Sequence, residues 1–356
     1  MPVKSATPIA RSSSEGSWSD GTFARTSALF GIVGLFHLIG WGMFFLYSPR
    51  FPAMAGLGAL AYGLGLRHAF DADHISAIDD TTRYLLQKGE RPLAVGFFFS
   101  LGHSTIVLLM TVALVVATKT VRAAMPELQS YGNVIGATVS GVFLWLIGIL
   151  NLLVLLDILN IWHQMKRGTY HQEHLEDLLA QRGLIRRILG DRLQNLISHS
   201  WQMYPVGMIF GLGFDTASEI GLLALAAGAA SQAVPTLAVT SLAILFASGM
   251  SLMDTADGVF MVKAYSWAFS SPLRKIYYNI TTTSLSVAVA LLIGTVELLQ
   301  VLGGALNWHG RFFSTLAALD FETLGYAIVA MFVVGWALSV SIWKYRRLED
   351  RWDPSG

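Results

Sequence analysis

An all-α integral membrane protein with eight transmembrane helices is the fold class that this sequence predicts, and three observations carry that reading. Only 13% of its 356 residues are charged and 54% are hydrophobic, whereas an ordinary soluble domain carries about 25% charged residues. Mean hydropathy is +0.55, so most of the chain is solvated by something other than water. Apolar stretches recur along the chain, long enough for a bilayer, which takes about 20 residues per helix. The basic residues also segregate. With the N-terminus inside, 19 of the 24 Lys and Arg fall in cytoplasmic segments; only Arg50, Lys119, Arg122 and Arg311 fall outside, and Arg67 lies within a span. That split follows the positive-inside rule and puts both termini in the cytoplasm.

The elements follow in order. Residues 1–28 are polar, rich in Ser, Thr and Ala. They contain no short apolar region followed by a cleavage site, so they read as a cytoplasmic tail rather than a signal peptide. The first four spans, within 29–162, are expected at Leu29–Tyr47, Ala53–Ile78, Pro92–Thr118 and Asn133–Trp162. Polar residues fill the C-terminal half of the second. Residues 163–203 form a charged cytoplasmic loop. The other four spans, within 204–343, are expected at Tyr204–Ala230, Pro235–Val262, Ile276–Leu302 and Thr323–Trp343, and 344–356 is a second cytoplasmic tail. Trp41, Trp162, Trp201 and Trp343 fall near span ends, where aromatic residues anchor a helix at the interface.

An internal repeat is visible. FDADHI begins at Phe70 and FDTASEI at Phe214; SLGHS begins at Ser100 and SGMS at Ser248, each read as the start of a glycine turn. The matching pairs are spans two and three against five and six. An offset of three helices reverses direction through the membrane, the inverted arrangement common in secondary transporters.

Composition excludes several chemistries. A net charge of +1 lacks the clustered basic excess of a nucleic-acid binder. Cysteine is absent, so disulfides, iron–sulfur clusters and thiolate metal sites are ruled out. No G-x-x-x-x-G-K-[ST] loop or other nucleotide motif occurs, so any transport must run on gradients. A divalent cation entering a negative-inside compartment gains about 4.6 kcal/mol per 100 mV.

Charge at membrane depth is costly and retained mainly for function, which makes Arg67, His68, Asp71, Asp73 and His74 the most informative stretch. On a continuous helix at about 100° per residue, Arg67, His68, Asp71 and His74 share a face, with Arg67 buried and holding Asp71 ionised. Asp73 then points away, unless the helix is unwound there. Imidazole plus carboxylate without thiolate suits nickel, cobalt, zinc, copper(II) or ferrous iron, and argues against magnesium and calcium, which prefer oxygen cages. The bland reading is a helix-end salt-bridge cluster beside cytoplasmic Asp79, Asp80 and Arg83. His103 in the third span adds an imidazole. Asp215 and Glu219 in the fifth span are i,i+4, and Asp254 and Asp257 in the sixth are i,i+3, so each pair lies on one helix face. They complete a carboxylate-lined path for a divalent cation. Weaker candidates are His37, which also reads as a hydrogen-bonded core histidine, and Glu297, which reads as near the outer interface. His163, His171, His174 and His199 read as loop residues.

Four of these segments together resemble a known family. RHAFDADHI at Arg67–Ile75, FFFSLGHST at Phe97–Thr105, LGFDTASEI at Leu212–Ile220 and GMSLMDTAD at Gly249–Asp257 look like the four motifs of the nickel/cobalt transporter (NiCoT) family. The resemblance covers all eight spans, the central loop and the polar ends. It implies a multi-pass permease of the bacterial cytoplasmic (inner) membrane that takes up Ni²⁺ or Co²⁺ as substrate rather than cofactor, with the lipid bilayer as its other partner. His68, Asp73 and His74 of the H-x₄-DH element would be essential, and Phe70, at the motif's variable position, would tune selectivity. Ser218 stands where the family commonly has Thr and keeps the hydroxyl. Two other readings stay open. Export would use the same ligands. A membrane metalloenzyme would require H-E-x-x-H or several histidine boxes, and H-E-x-x-H is absent.

Overall fold

The computed structural model describes residues 20–116, 119–166, 197–212, 235–268, 272–319 and 321–345. Among these residues every regular element is helical, with no strand. α1 spans Asp20–Tyr47, α2 Leu57–His68, α3 Ala72–Gln87, α4 Val95–Val116 and α5 Lys119–Lys166. α6 follows at Met203–Phe210, α7 at Thr236–Ala268, α8 at Pro272–Ala305, α9 at Arg311–Ala317 and α10 at Phe321–Tyr345. Short 3₁₀ turns lie at Ser48–Arg50, Pro52–Met54 and Ser200–Gln202.

Five helical stretches among the described residues are long and apolar enough to cross a membrane: 21–50, 95–113, 134–160, 236–265 and 280–305. A shorter apolar stretch occupies 324–335 in α10. α1, α5 and α8 all run beyond the spans expected from the sequence. The fifth span is described only as far as residue 212, and α9 was not anticipated.

The largest departure is in the second span. Ala53–Ile78 is not one helix. α2 stops at His68, Asp71 adopts an extended backbone (φ −61°, ψ 143°), and α3 begins at Ala72. The restart has a local cause. Asp73 lies in the first turn of α3, and its Oδ1 accepts the backbone N–H of His74 at 2.8 Å. A carboxylate there satisfies one of the orphan donors of a helix start and complements the positive end of the helix dipole. Single-helix wheel geometry therefore does not carry from Arg67 to His74.

α3 also runs further than the predicted span, to Gln87, and it is an interior helix despite its polarity. Ser76, Asp79, Asp80, Thr81, Thr82 and Arg83 are all buried, so Asp79, Asp80 and Arg83 do not lie in a cytoplasmic loop. Buried charges must be paired or hydrogen-bonded, and these are, as described below.

Packing is organised by α7, which lies against α1, α2, α3 and α4; α5 packs along α8, α4 along α6, and α10 against α3 and α8. Small residues allow these close approaches, as is usual for helices in lipid. A Cβ on Gly96 of α4 would stand 1.8 Å from the Asp254 carbonyl oxygen of α7, and one on Gly325 of α10 only 1.5 Å from the Phe70 carbonyl oxygen. Both positions therefore require glycine. The SLGHS and SGMS segments lie inside α4 and α7, so Gly102 and Gly249 are helix-contact positions, not turns. The Tyr204 carbonyl stands against Gly102 and the Tyr62 carbonyl against Gly249.

Candidate metal centre

The break between α2 and α3 determines where the site forms. His68 is the last residue of α2 and His74 lies in the first turn of α3, so the interruption folds two imidazoles toward each other. α4 brings His103 to the same place. Ring centroids are 4.8 Å apart for His68 and His74, 5.0 Å for His68 and His103, and 4.9 Å for His74 and His103. One nitrogen from each of the three rings lies within 4.8 Å of the others. His74 and His103 are only 1% and 3% exposed. Metal–nitrogen bonds of about 2.0–2.1 Å in a tetrahedral arrangement separate ligand nitrogens by about 3.4 Å, so a modest contraction would seat one cation on the triad.

Carboxylates surround it. Asp254 of α7 sets Oδ2 3.4 Å from His74 Nδ1, and both residues are 1% exposed. No hydrogen bond reaches either nitrogen of the His74 ring or either carboxylate oxygen of Asp254 among the described residues. Buried polar atoms left in that condition are costly, and a divalent cation is the partner that imidazole nitrogen and carboxylate oxygen would share. Asp71 Oδ2 lies 3.1 Å from His68 Nδ1. Asp73 caps α3 from within its first turn. Asp257, one turn beyond Asp254, has a buried Oδ2 with no hydrogen-bond partner.

The other expected site residues divide clearly. Arg67 is exposed, which corrects the expectation of a buried guanidinium there; the buried one is Arg83. His37 is a satisfied helix histidine, with Nδ1 2.8 Å from the Val33 carbonyl and Nε2 3.1 Å from the Tyr62 hydroxyl, and it stands outside the triad. Phe70, in the break, stacks on Tyr326 of α10 with centroids 5.3 Å apart. Glu297 is buried, not interfacial, and accepts the Ser140 hydroxyl at 3.0 Å. His163 and His199 are exposed. Asp215, Ser218, Glu219, His171 and His174 lie outside the described residues.

Sequence reasoning missed one cluster. Arg83 donates to Ser286 (3.1 Å), Thr282 (2.8 Å), Asp79 (3.4 Å) and the Tyr265 hydroxyl, and its guanidinium lies 4.1 Å from the Tyr265 ring centre. Tyr265 and Ser286 in turn donate to Asp79. Asn151 of α5 holds Asp80 at 2.9 Å. The i,i+4 spacing of Asp79 and Arg83 was the available signal. A cavity of about 340 Å³ adjoins this network at Tyr265 and Thr282, and Phe70, Met253 and Asp257 also line it.

Comparison with known proteins agrees with this arrangement. The profile of the NicO family, described as high-affinity nickel-transport protein, matches residues 54–342. The chain is 50% identical over 342 residues to the nickel transporter NicT of Mycobacterium tuberculosis, covering 93% of this chain and 92% of that one. It is 47% identical over 311 residues to the high-affinity nickel-transport protein NixA of Helicobacter pylori strain J99, covering 86% and 93%. It is 41% identical over 333 residues to the cobalt transport protein NhlF of Rhodococcus rhodochrous, covering 90% and 93%. No solved structure matches the chain. With a profile match over most of its length and these three relatives, each named as a transport protein, aligned nearly end to end, the chain belongs to the high-affinity nickel-transport protein family.

Proposed function

We propose that the protein is a secondary transporter that takes up Ni²⁺, Co²⁺ or both across the inner membrane of a bacterium, through an intramembrane site built on His68, His74, His103 and Asp254. The observation that carries this reading is the buried triad of imidazoles beside a carboxylate without hydrogen bonds. Its donor set favours borderline divalent metals and disfavours magnesium. Relatives named for nickel and for cobalt transport support both substrates. Asp71, Asp73 and Asp257 flank the route, with Asp215 and Glu219 from the fifth span as further acids along it.

The topology in this reading has eight spans with both termini cytoplasmic and an inverted repeat of spans two and three against five and six. The reciprocal contacts Gly102–Tyr204 and Gly249–Tyr62 support the repeat, because they pair spans three with five and six with two. Entry is driven by the membrane potential, and arriving metal displaces protons held by the acidic interior. The test is uptake of ⁶³Ni²⁺ and ⁵⁷Co²⁺ in cells expressing the chain, with the other divalent metals as competitors and with a protonophore or imposed potential. Accumulation that follows the potential and resists excess magnesium is expected. Loss of cellular metal on expression, or uptake indifferent to both gradients, overturns the reading.

A further inference from the structure

We infer that Arg83 is a tethered gate cation: with Asp79, Tyr265 and Ser286 it closes the metal path on the side of the triad that faces the α3–α4 turn. This deepens the transport reading and rests on it. Three features of the structure lead there.

The first is a connected space. Asp257, one turn beyond Asp254 on α7, lines the cavity together with Phe70 and Met253. Tyr265 and Thr282 line the same cavity, and both are hydrogen-bonded to Arg83. Asp257 is the one acidic residue in a lining that is otherwise mostly apolar, so it is the carboxylate a cation in this space would meet.

The second is position. Arg83 lies nine residues beyond His74 on α3, about 14 Å along the axis at 1.5 Å per residue, and one turn before the helix ends at Gln87. Gly89, Glu90 and Arg91, just past that end, are exposed. Arg83 itself is 1% exposed, so with the buried Tyr84 and Leu85 it lies in the layer before the exposed turn.

The third is the kind of closure. Arg83 joins three helices through side chains alone: Asp79 on its own helix, Tyr265 on α7, and Thr282 and Ser286 on α8. An apolar plug would have to be unpacked to open. A polar closure opens by exchanging its hydrogen bonds for those of water or of a hydrated cation. A fixed positive charge also repels a divalent cation while the closure holds, and Asp79 becomes available to the metal once Arg83 swings away. Electrostatic barriers of this kind are a recognised way to control ion passage.

The chain contains no cysteine, so a single introduced thiol reports access without background. Ala256→Cys places that thiol on the cavity wall. In membrane vesicles, a cationic, membrane-impermeant methanethiosulfonate applied to the α3–α4 face should label it slowly in the native background. In the charge-neutral pair Asp79→Asn/Arg83→Gln the rate should rise about fivefold, the size expected when a closed state favoured roughly 10:1 falls to 1:1. Arg83→Lys, which keeps the charge, should stay near the native rate. Equal labelling in native and neutral backgrounds overturns the gate. If the double variant does not reach the membrane, Tyr265→Phe takes its place, and an unchanged rate there is equally decisive against it. Failure of ⁶³Ni²⁺ uptake in the native protein would instead strike the transport reading, which the labelling does not measure.

Discussion

His74 and Asp254 meet 3.4 Å apart, both 1% exposed, on two helices far apart in sequence. They lie on α3 and α7, which pack directly against each other. The pair makes no hydrogen bond in this state, so its geometry serves a ligand more than the fold. Asp254→Asn keeps the shape and removes the negative charge. Nickel binding by the purified protein should weaken by about 10–100-fold, the usual effect of losing a carboxylate that supports a metal-ligating histidine, and ⁶³Ni²⁺ uptake should fall in step. Native-level uptake with normal expression would remove Asp254 from the metal's path.

His37 and His103 are both intramembrane histidines in the sequence, and the structure separates them. His103 faces His68 and His74, whereas His37 already has two partners. His103→Ala should abolish uptake. His37→Phe should leave uptake within about threefold of native while lowering stability by about 1 kcal/mol, the net worth of an ordinary hydrogen bond. Uptake assays beside thermal denaturation of the detergent-solubilised protein separate the two effects.

The membrane class and the residues of the candidate site were legible in the sequence, because a charge within an apolar span stands out against its surroundings. RHAFDADHI pointed to the candidate metal site directly, and His103 and Asp254 stood out in the same way. What failed was geometry. A wheel drawn through an unbroken second span turned Asp73 away and buried Arg67, whereas the interruption at 69–71 caps α3 with Asp73 and leaves Arg67 exposed. Hydropathy also ended that span at Ile78, since Asp79, Asp80 and Arg83 look like a loop. Their burial depends on partners supplied by α5, α7 and α8, more than sixty residues away, and no local pattern reports such partners.

Phe70 sits in the break itself, between His68 and His74 in the chain, stacked on Tyr326, and it lines the cavity. It touches no candidate ligand through a polar atom, so its influence on the metal is steric. Phe70→Leu should shift the ratio of cobalt to nickel uptake by at least about threefold with total transport little changed, because specificity is a difference of affinities and small shifts in site shape act on it directly. Competition of ⁵⁷Co²⁺ against unlabelled Ni²⁺ measures that ratio. An unchanged ratio would assign Phe70 to packing alone.

Gly96 offers the sharpest test of how the fold supports the site. A side chain there has no free space, since its first carbon would lie 1.8 Å from the Asp254 carbonyl oxygen, a backbone atom that cannot swing aside. Gly96→Ala therefore forces α4 and α7 apart, at a cost of about 1–3 kcal/mol for overpacking. Separation at that level moves Asp254 on α7 and His103 on α4, whereas His68 and His74 keep their own helices. The variant should thus lose nickel affinity more than its drop in melting temperature alone would explain. Gly304→Ala is the control, because a Cβ there meets nothing within 4 Å, and it should leave both stability and binding at native levels. Equal behaviour of the two variants in calorimetric nickel titration would mean that helix separation at Gly96 does not control the metal centre.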